Sequence, residues 1–412
     1  MRKTEKKRRP QRYRNTAKFI IFTVISIITI ILCAVGACII KDYRPKVNDG
    51  TPSFIELTPS VIEATPESGE ELIAADHTPE DINENNAAPE YTRTRKDTYN
   101  FLLVGKDNAG ANTDIIIIVN FDIPSNRITM LQIPRDTYVE IGSYAYKINV
   151  AYSKYLSQAK KNGSKDPEPE GMAGLASLIE QNMAIELDYW IFCKLEGLRE
   201  IVDIIGGVEV DVPFNMYYTD PEQDLYIDIS AGKQILDGEH VEQFIRYRSG
   251  YIEGDIGRID AQKIFYNAML KQLRASFTVG MIPALSEQAF KHMNTSMTLA
   301  DLIFFAKHVM NVDTSSLLMI TLPGESARAD GESGTWYYIL KRADTMAVIN
   351  KYFNVYDKDI TESVFDPMLI FTAQSKTALN KIYRSDISSD FSSNIIDGST
   401  IDSEGISIGL LQ

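Results

Sequence analysis

The chain of 412 residues is poor in the side chains from which most metal centres and nucleophilic active sites are made. Of its three cysteines, Cys33 and Cys38 fall inside a long apolar run, so Cys193 stands alone and no intrachain disulfide framework exists. The four histidines, His77, His240, His292 and His308, show no metal-ligand spacing, and His240 reads as a helix-surface residue. There is no glycine-rich Walker loop and no serine in a nucleophile-elbow context. Positive charge is scarce beyond the start: residues 1–18 carry nine basic residues and one acid, a net of +8 against −14 for the whole, so the remainder carries −22. That balance excludes a nucleic-acid-binding body, and eighteen residues are too few for a DNA-binding fold. The chemistry rests on arginine and aspartate.

What is present begins with a membrane signal. Residues 19–40 contain no charge, and as a helix they span about 33 Å, enough for the hydrocarbon core. The basic residues before them predict a cytoplasmic tail over 1–18, a transmembrane helix over 19–40 and everything after Lys41 outside, at the cell membrane. The run is too long for a typical cleaved signal peptide, and the match to a lipoprotein site before Cys38 is weak. Residues 41–97 read as a disordered acidic Thr/Pro linker: from Pro45 to Glu90 there are eleven acids, one base and recurrent proline. Residues 373–412, rich in Ser, Asp and Asn, read as a mobile tail.

Order begins at Tyr99. Tyr99–Gly105, Ile115–Phe121 and Arg127–Ile133 are strand-like, and the unbroken Ile115–Val119 run predicts a strand covered on both faces. Thr137–Ile141 is expected to extend the same sheet. Helices are expected over Ile148–Gln158 and Met172–Met183, separated by a loop from Lys161 to Glu170. A strand over Tyr189–Lys194 then leads into a helix that Gly206–Gly207 stops, with further strands at Val208–Val212 and Leu225–Ile229. Alternating strands and helices give an α/β fold: a central mixed sheet flanked by helices, a three-layer sandwich.

The segment Arg246–Lys263 gathers Arg246, Arg248 and Arg258 with Gln262 and Asp255 around a glycine-containing turn. Asp237 caps the helix that delivers Arg246, which is expected to end near Phe244. A second helix is expected from Ile256, with Arg258, Gln262, Phe265, Met269 and Leu273 on one stripe and Asp260, Lys263, Asn267, Lys271 and Arg274 opposite. Forked guanidiniums beside a helix start suit a phosphate or diphosphate. The same arginines could instead form a structural network with Asp255, Asp260 and Glu253. Asp107 follows the first strand and Asp114 precedes the second, so a hairpin would put both carboxylates at one mouth, where they suit Mg²⁺ or simply solvate a loop. Arg135, Asp136 and Lys147 fit either a site or ordinary surface charge.

Seven motifs in order, NFLLVGKD (100–107), TDIIII (113–118), IPRDTYV (133–139), KINVAY (147–152), GGVEVDVP (206–213), LDGEH (236–240) and RYRSGYIEGDIGRIDAQK (246–263), resemble the LytR-CpsA-Psr family. The resemblance implies a catalytic domain over 98–275 with an apolar lipid pocket, and an extension over 276–372 packed on it. It implies a Mg²⁺-dependent phosphotransferase that moves a glycopolymer from a polyprenyl diphosphate carrier onto peptidoglycan through a phosphodiester link. By that resemblance Asp107 and Asp114 hold the metal; Arg135, Arg246, Arg248 and Arg258 grip the diphosphate with Gln262 alongside; Asp136 and Lys147 match family positions. Asn112 stands where the family commonly has arginine. The alternative activity is a non-enzymatic polyprenyl-diphosphate sensor or envelope regulator. Partners on either reading are the lipid carrier, the wall and the bilayer, with no nucleic acid.

Overall fold

The computed structural model describes residues 43–48, 52, 91–106, 112–113, 115–142, 144–221, 225–247, 255–278, 281–309, 311–312, 317–328, 335–361 and 395–397. The chain divides into two compact units, one of residues 1–46 with 298–307 and one of the remainder. In the small unit, Tyr43 donates a 2.6 Å hydrogen bond to Asp301 and packs edge-on to Phe304, while Asp301 and Thr298 cap each other reciprocally at a helix start.

The larger unit is built on a mixed sheet. Its first strands are β1 (Thr98–Lys106), β2 (Ile115–Asp122) and β3 (Arg127–Gln132), each antiparallel to the next. The turn between β2 and β3 closes through Asn126 at φ 50°, a left-handed conformation that asparagine tolerates. Next come the hairpin β4 (Tyr138–Ile141) and β5 (Tyr144–Lys147), then α1 (Ala151–Lys161), α2 (Pro167–Met183), β6 (Tyr189–Lys194) and α3 (Leu195–Ile204). They are followed by β7 (Val208–Val212), β8 (Met216–Asp220), β9 (Leu225–Ile229), β10 (Gly232–Leu236), α4 (Gly238–Arg246) and α5 (Asp255–Ser276). The remaining elements are α6 (Ile282–His292), β11 (Met293–Thr295), α7 (Leu299–Val309), β12 (Leu318–Thr321), β13 (Gly324–Arg328), β14 (Trp336–Leu340), α8 (Arg342–Tyr352) and β15 (Ile395–Asp397). Among the described residues the sheet runs β11-β6-β1-β2-β3-β12-β15, with β6 parallel to β1 and β12 parallel to β3.

Both faces of the sheet are covered, which is why β2 has no polar alternation. Leu102, Val104, Ile116, Ile118 and Leu131 pack with Tyr152 of α1, Leu175 and Ile179 of α2 and Ile349 of α8. A second core joins α3, α4 and α5 to the β7–β10 and β8–β9 hairpins, and Ile115 reaches into it from the sheet. Val208–Val212 and Leu225–Ile229, both expected as strands, alternate buried and exposed residues in strict turn. Gly206 and Gly207, both at φ 86°, end α3, and the N–H of Gly207 closes onto the carbonyl of Val202.

Four expectations need correction. Residues 91–97 are ordered rather than linker: Tyr91 packs in the main core and Arg93 pairs with buried Asp188 at 2.6 Å, an anchor that windowed composition averages away. The strand after Pro134 leaves the central sheet: it pairs with β5, because the chain turns back at Gly142, and touches β14 through a single bridge from Thr137 to Tyr338. Helix α2 starts at Pro167, whose fixed φ suits the first turn, so the expected loop is shorter. Residues beyond 276 are not merely packed on the domain: β11 and β12 are strands of the central sheet.

No helix of the described residues is long and apolar enough to cross a membrane, and the expected span of residues 19–40 lies outside them, as does the tail over 373–394 and 398–412. Cys193 is a free thiol, and burial pushes its pKa up to about 11, which suits a packing residue rather than a nucleophile.

Candidate functional site

At the end of β3 the chain turns through Pro134, Arg135 and Asp136. Thr137 fixes that turn by donating its N–H (3.0 Å) and its hydroxyl (2.6 Å) to the carbonyl of Pro134. The N–H of Tyr338, on β14, donates to the carbonyl of Asp136 at 2.8 Å, so the turn is held from both sides. The register of the β4–β5 hairpin places Lys147 opposite Tyr138, which brings its Nζ to 3.2 Å from Asp136 Oδ1, while Arg135 Nε lies 3.9 Å from the same oxygen. All three side chains are about a quarter to a third exposed.

A second cation comes from α4. Its sequence GEHVEQFIR buries Val241, Phe244 and Ile245 on one side, and the Asp237 carboxylate accepts from the N–H of His240 at 3.0 Å. That backbone bond and the His240 ring hold the Asp237 carboxyl below its usual range. The helix runs to Arg246, two residues further than expected, before Tyr247 turns extended. Arg246 reaches Glu242 one turn back at 3.1 Å, and Arg199 of α3 reaches the other oxygen of Glu242 at 3.1 Å.

Gln262 joins the two halves. Fully buried on α5, it donates to the carbonyl of Ile245, the residue before Arg246, at 3.2 Å. Its own carbonyl accepts from Gln132, the last residue of β3, at 3.5 Å. One carboxamide therefore stitches the strand end that carries Arg135 to the helix end that carries Arg246. A third tie enters at Asn149: its carbonyl accepts the N–H (3.0 Å) and hydroxyl (3.2 Å) of Thr113, the residue before Asp114, and its N–H donates to the carbonyl of Arg135 at 3.2 Å. The motifs TDIIII, IPRDTYV and KINVAY converge on that one asparagine.

The structure thus brings together Arg135, Asp136 and Lys147, and links Arg246 and Gln262 to them through the backbone. Asp107, Asp114 and Arg248 lie outside the described residues, as do the side chains of Asp255 and Arg258, whose backbone forms the first turn of α5. Among the described residues no cluster of three or more His, Cys, Asp or Glu could hold a metal.

The model of the LytR_cpsA_psr family matches residues 63–354, more than half of the chain. The chain belongs to the LytR-CpsA-Psr family. Among curated relatives, the Bacillus subtilis (strain 168) polyisoprenyl-teichoic acid–peptidoglycan teichoic acid transferase TagV is 25% identical over 62% of this chain. The chain spans 64% of the length of that relative. The enzyme of the corresponding name TagU from Bacillus anthracis is 26% identical over 67% of this chain and 84% of its own. The crystal structure of B. subtilis TagV superimposes with a TM-score of 0.51 at 22% identity, covering 66% of this chain and 99% of that one, and so supports the fold.

Sequence reasoning missed several residues of this LytR-CpsA-Psr site. Gln132 went unremarked, although a lone amide at the end of an otherwise buried strand is a visible signal. Glu242 is the carboxylate four residues before Arg246, the i,i+4 spacing that pairs side chains on a helix. Lys263 and Asn267 were expected on a polar face, yet both are buried, because α5 is covered on more than its apolar stripe. That stripe itself is as expected from Gln262 onward: Phe265 is buried in the second core, with Met269 and Leu273 packed against it.

Proposed function

We propose that this LytR-CpsA-Psr chain transfers a glycopolymer from a polyprenyl diphosphate carrier to peptidoglycan. The observation that carries the reading is the Gln262 bridge, which ties two arginine-bearing element ends into one rigid cationic mouth. The names of TagV and TagU, which specify transfer of polyisoprenyl-linked teichoic acid to peptidoglycan, support the same chemistry at modest identity.

In this mechanism Arg135, Arg246, Arg248 and Arg258 hold the diphosphate, with Gln262 setting their spacing. A wall-sugar hydroxyl attacks the polymer-linked phosphorus. Its oxygen–phosphorus bond forms as the bond to prenyl phosphate breaks, and the hydroxyl proton passes to solvent. Fixed cations that meet the developing charge supply most of the acceleration, as in other phosphoryl transfers. Lys147 and Asp136 hold Arg135 in place through their shared contact.

Asp107 and Asp114 are the residues that would hold Mg²⁺. The described flank fits a hard cation: Thr113 is fully buried and doubly tied to Asn149, whose buried Oδ1 has no hydrogen-bond partner among the described residues. When bound, the ion would offset diphosphate charge. The span over 19–40 would anchor the domain outside the cell membrane, beside its lipid-borne donor.

The test is transfer of radiolabelled polymer from a lipid-linked donor to peptidoglycan by the full chain with Mg²⁺. Labelled peptidoglycan is the expected result. Tight binding of the prenyl diphosphate with no product over hours would replace the transferase with a sensor.

A further inference from the structure

The second core is roofed by the β8–β9 hairpin, whose outer face carries exposed aromatic side chains. Its inner residues Met216, Leu225, Ile227 and Ile229 are buried. The register pairs Tyr217 with Asp228 and Thr219 with Tyr226, so Tyr217 and Tyr226 stand diagonally on the outward face. Each is 56% exposed. Large aromatic rings left in water on a rigid strand pair mark a contact surface rather than a core. On the antiparallel β7–β10 pair the outward residues are Glu209 and Asp211 facing Ile235 and Lys233.

We infer that this face is the docking platform for the glycan backbone of the peptidoglycan acceptor, an inference that rests on the transferase reading above. Two exposed tyrosines set diagonally on one face offer their rings to the C–H sides of sugar rings, and the adjoining carboxylates accept hydrogen bonds from sugar hydroxyls. The charge selects the occupant. Asp228, Glu209 and Asp211, offset in part by Lys233 opposite Asp211, repel a phosphate-rich polymer but tolerate an uncharged, hydroxyl-rich strand. The platform is also continuous with the cationic mouth: the N–H of Asp228 donates to Gln243 of α4 at 3.0 Å, and Gln243 lies three residues, hence on the same helix face, from Arg246. A strand lying across the tyrosines is thereby led toward the arginine.

The test uses the full chain and three ligands: purified peptidoglycan freed of its anionic polymers, the soluble anionic polymer alone, and a polyprenyl diphosphate. Replacing both residues, Tyr217→Ala with Tyr226→Ala, is expected to weaken co-sedimentation with stripped peptidoglycan by about tenfold or more, while prenyl diphosphate binding and the melting temperature stay as in the parent. The Tyr217→Phe, Tyr226→Phe pair keeps the ring faces and is expected to restore binding. Undiminished sedimentation of the alanine pair overturns the proposal, as does an equal loss toward the soluble anionic polymer. If the parent binds peptidoglycan through these tyrosines but makes no product, the platform stands and the transferase reading falls.

Discussion

The two ends of the central sheet handle charge in opposite ways. At the end where β1 and β6 begin, Arg93 makes a bidentate contact with Asp188 at 2.6 and 3.1 Å, with both side chains 1% exposed or less. Asp188 also accepts the N–H of Asn100, Asn100 donates to Glu186 and Phe353, and Glu186 accepts from Tyr356 at 2.7 Å. This network is largely buried, although Arg93 Nε finds no hydrogen-bond partner among the described residues and the exposed Asn48 reaches Glu186. At the other end, Arg135 and Lys147 share Asp136 at 3.9 and 3.2 Å, part-exposed, and Arg246 shares Glu242 with Arg199. Partly solvated, shared contacts are worth little individually and exchange readily for the oxygens of an incoming anion. One end of the sheet locks its charges into the fold, while the other leaves its cations loosely engaged at the surface.

The sharpest way to break that contrast is Arg93→Ala. It strands Asp188 in the interior and is expected to cost about 3–5 kcal/mol in urea unfolding, while the molecules still folded transfer polymer at the parental rate. A loss of transfer in the folded fraction would put the locked end into the chemistry. The converse pair, Arg135→Ala and Arg246→Ala, is expected to lower transfer about a hundredfold each, roughly 2.7 kcal/mol, with unfolding midpoints nearly unchanged. Equal activity would dissolve the proposed mouth.

A smaller effect separates the ends by pH. Burial, reinforced by the carboxylates of Glu186 and Asp188 and opposed by the N–H of Leu187, pushes Glu180 up to about 8 from an ordinary 4.5. A raised carboxyl favours the protonated folded state, so its contribution is full below about 4.5 and is lost as pH rises through about 8. Thermal denaturation should therefore show stability falling progressively across that window. Glu180→Gln should flatten the slope, since a glutamine oxygen can still accept from Leu187. A slope that survives the substitution assigns it to other groups.

How much of this was legible in sequence depends on the range of the interaction. The runs of β1, β2 and β3 and the cap at Asp237 were readable because they depend on neighbours within a few positions. Arg135, Arg246 and Gln262 stood out through residue type and motif order. Their partners did not: Gln132 lies 130 positions from Gln262 and Arg93 lies 95 from Asp188. Nothing in a local pattern says which distant amide meets which carbonyl.

The sequence alone determined that strands and helices alternate and that β2 is enclosed on both faces. Periodicity carries that much, because it records which face of an element avoids water. Only the tertiary structure decided that β4 leaves the sheet, that β12 joins beside β3, that Lys263 and Asn267 are covered, and that Gln262 bridges Gln132 to the carbonyl of Ile245. Those outcomes depend on which surface covers which, a property of the whole packing rather than of any one segment.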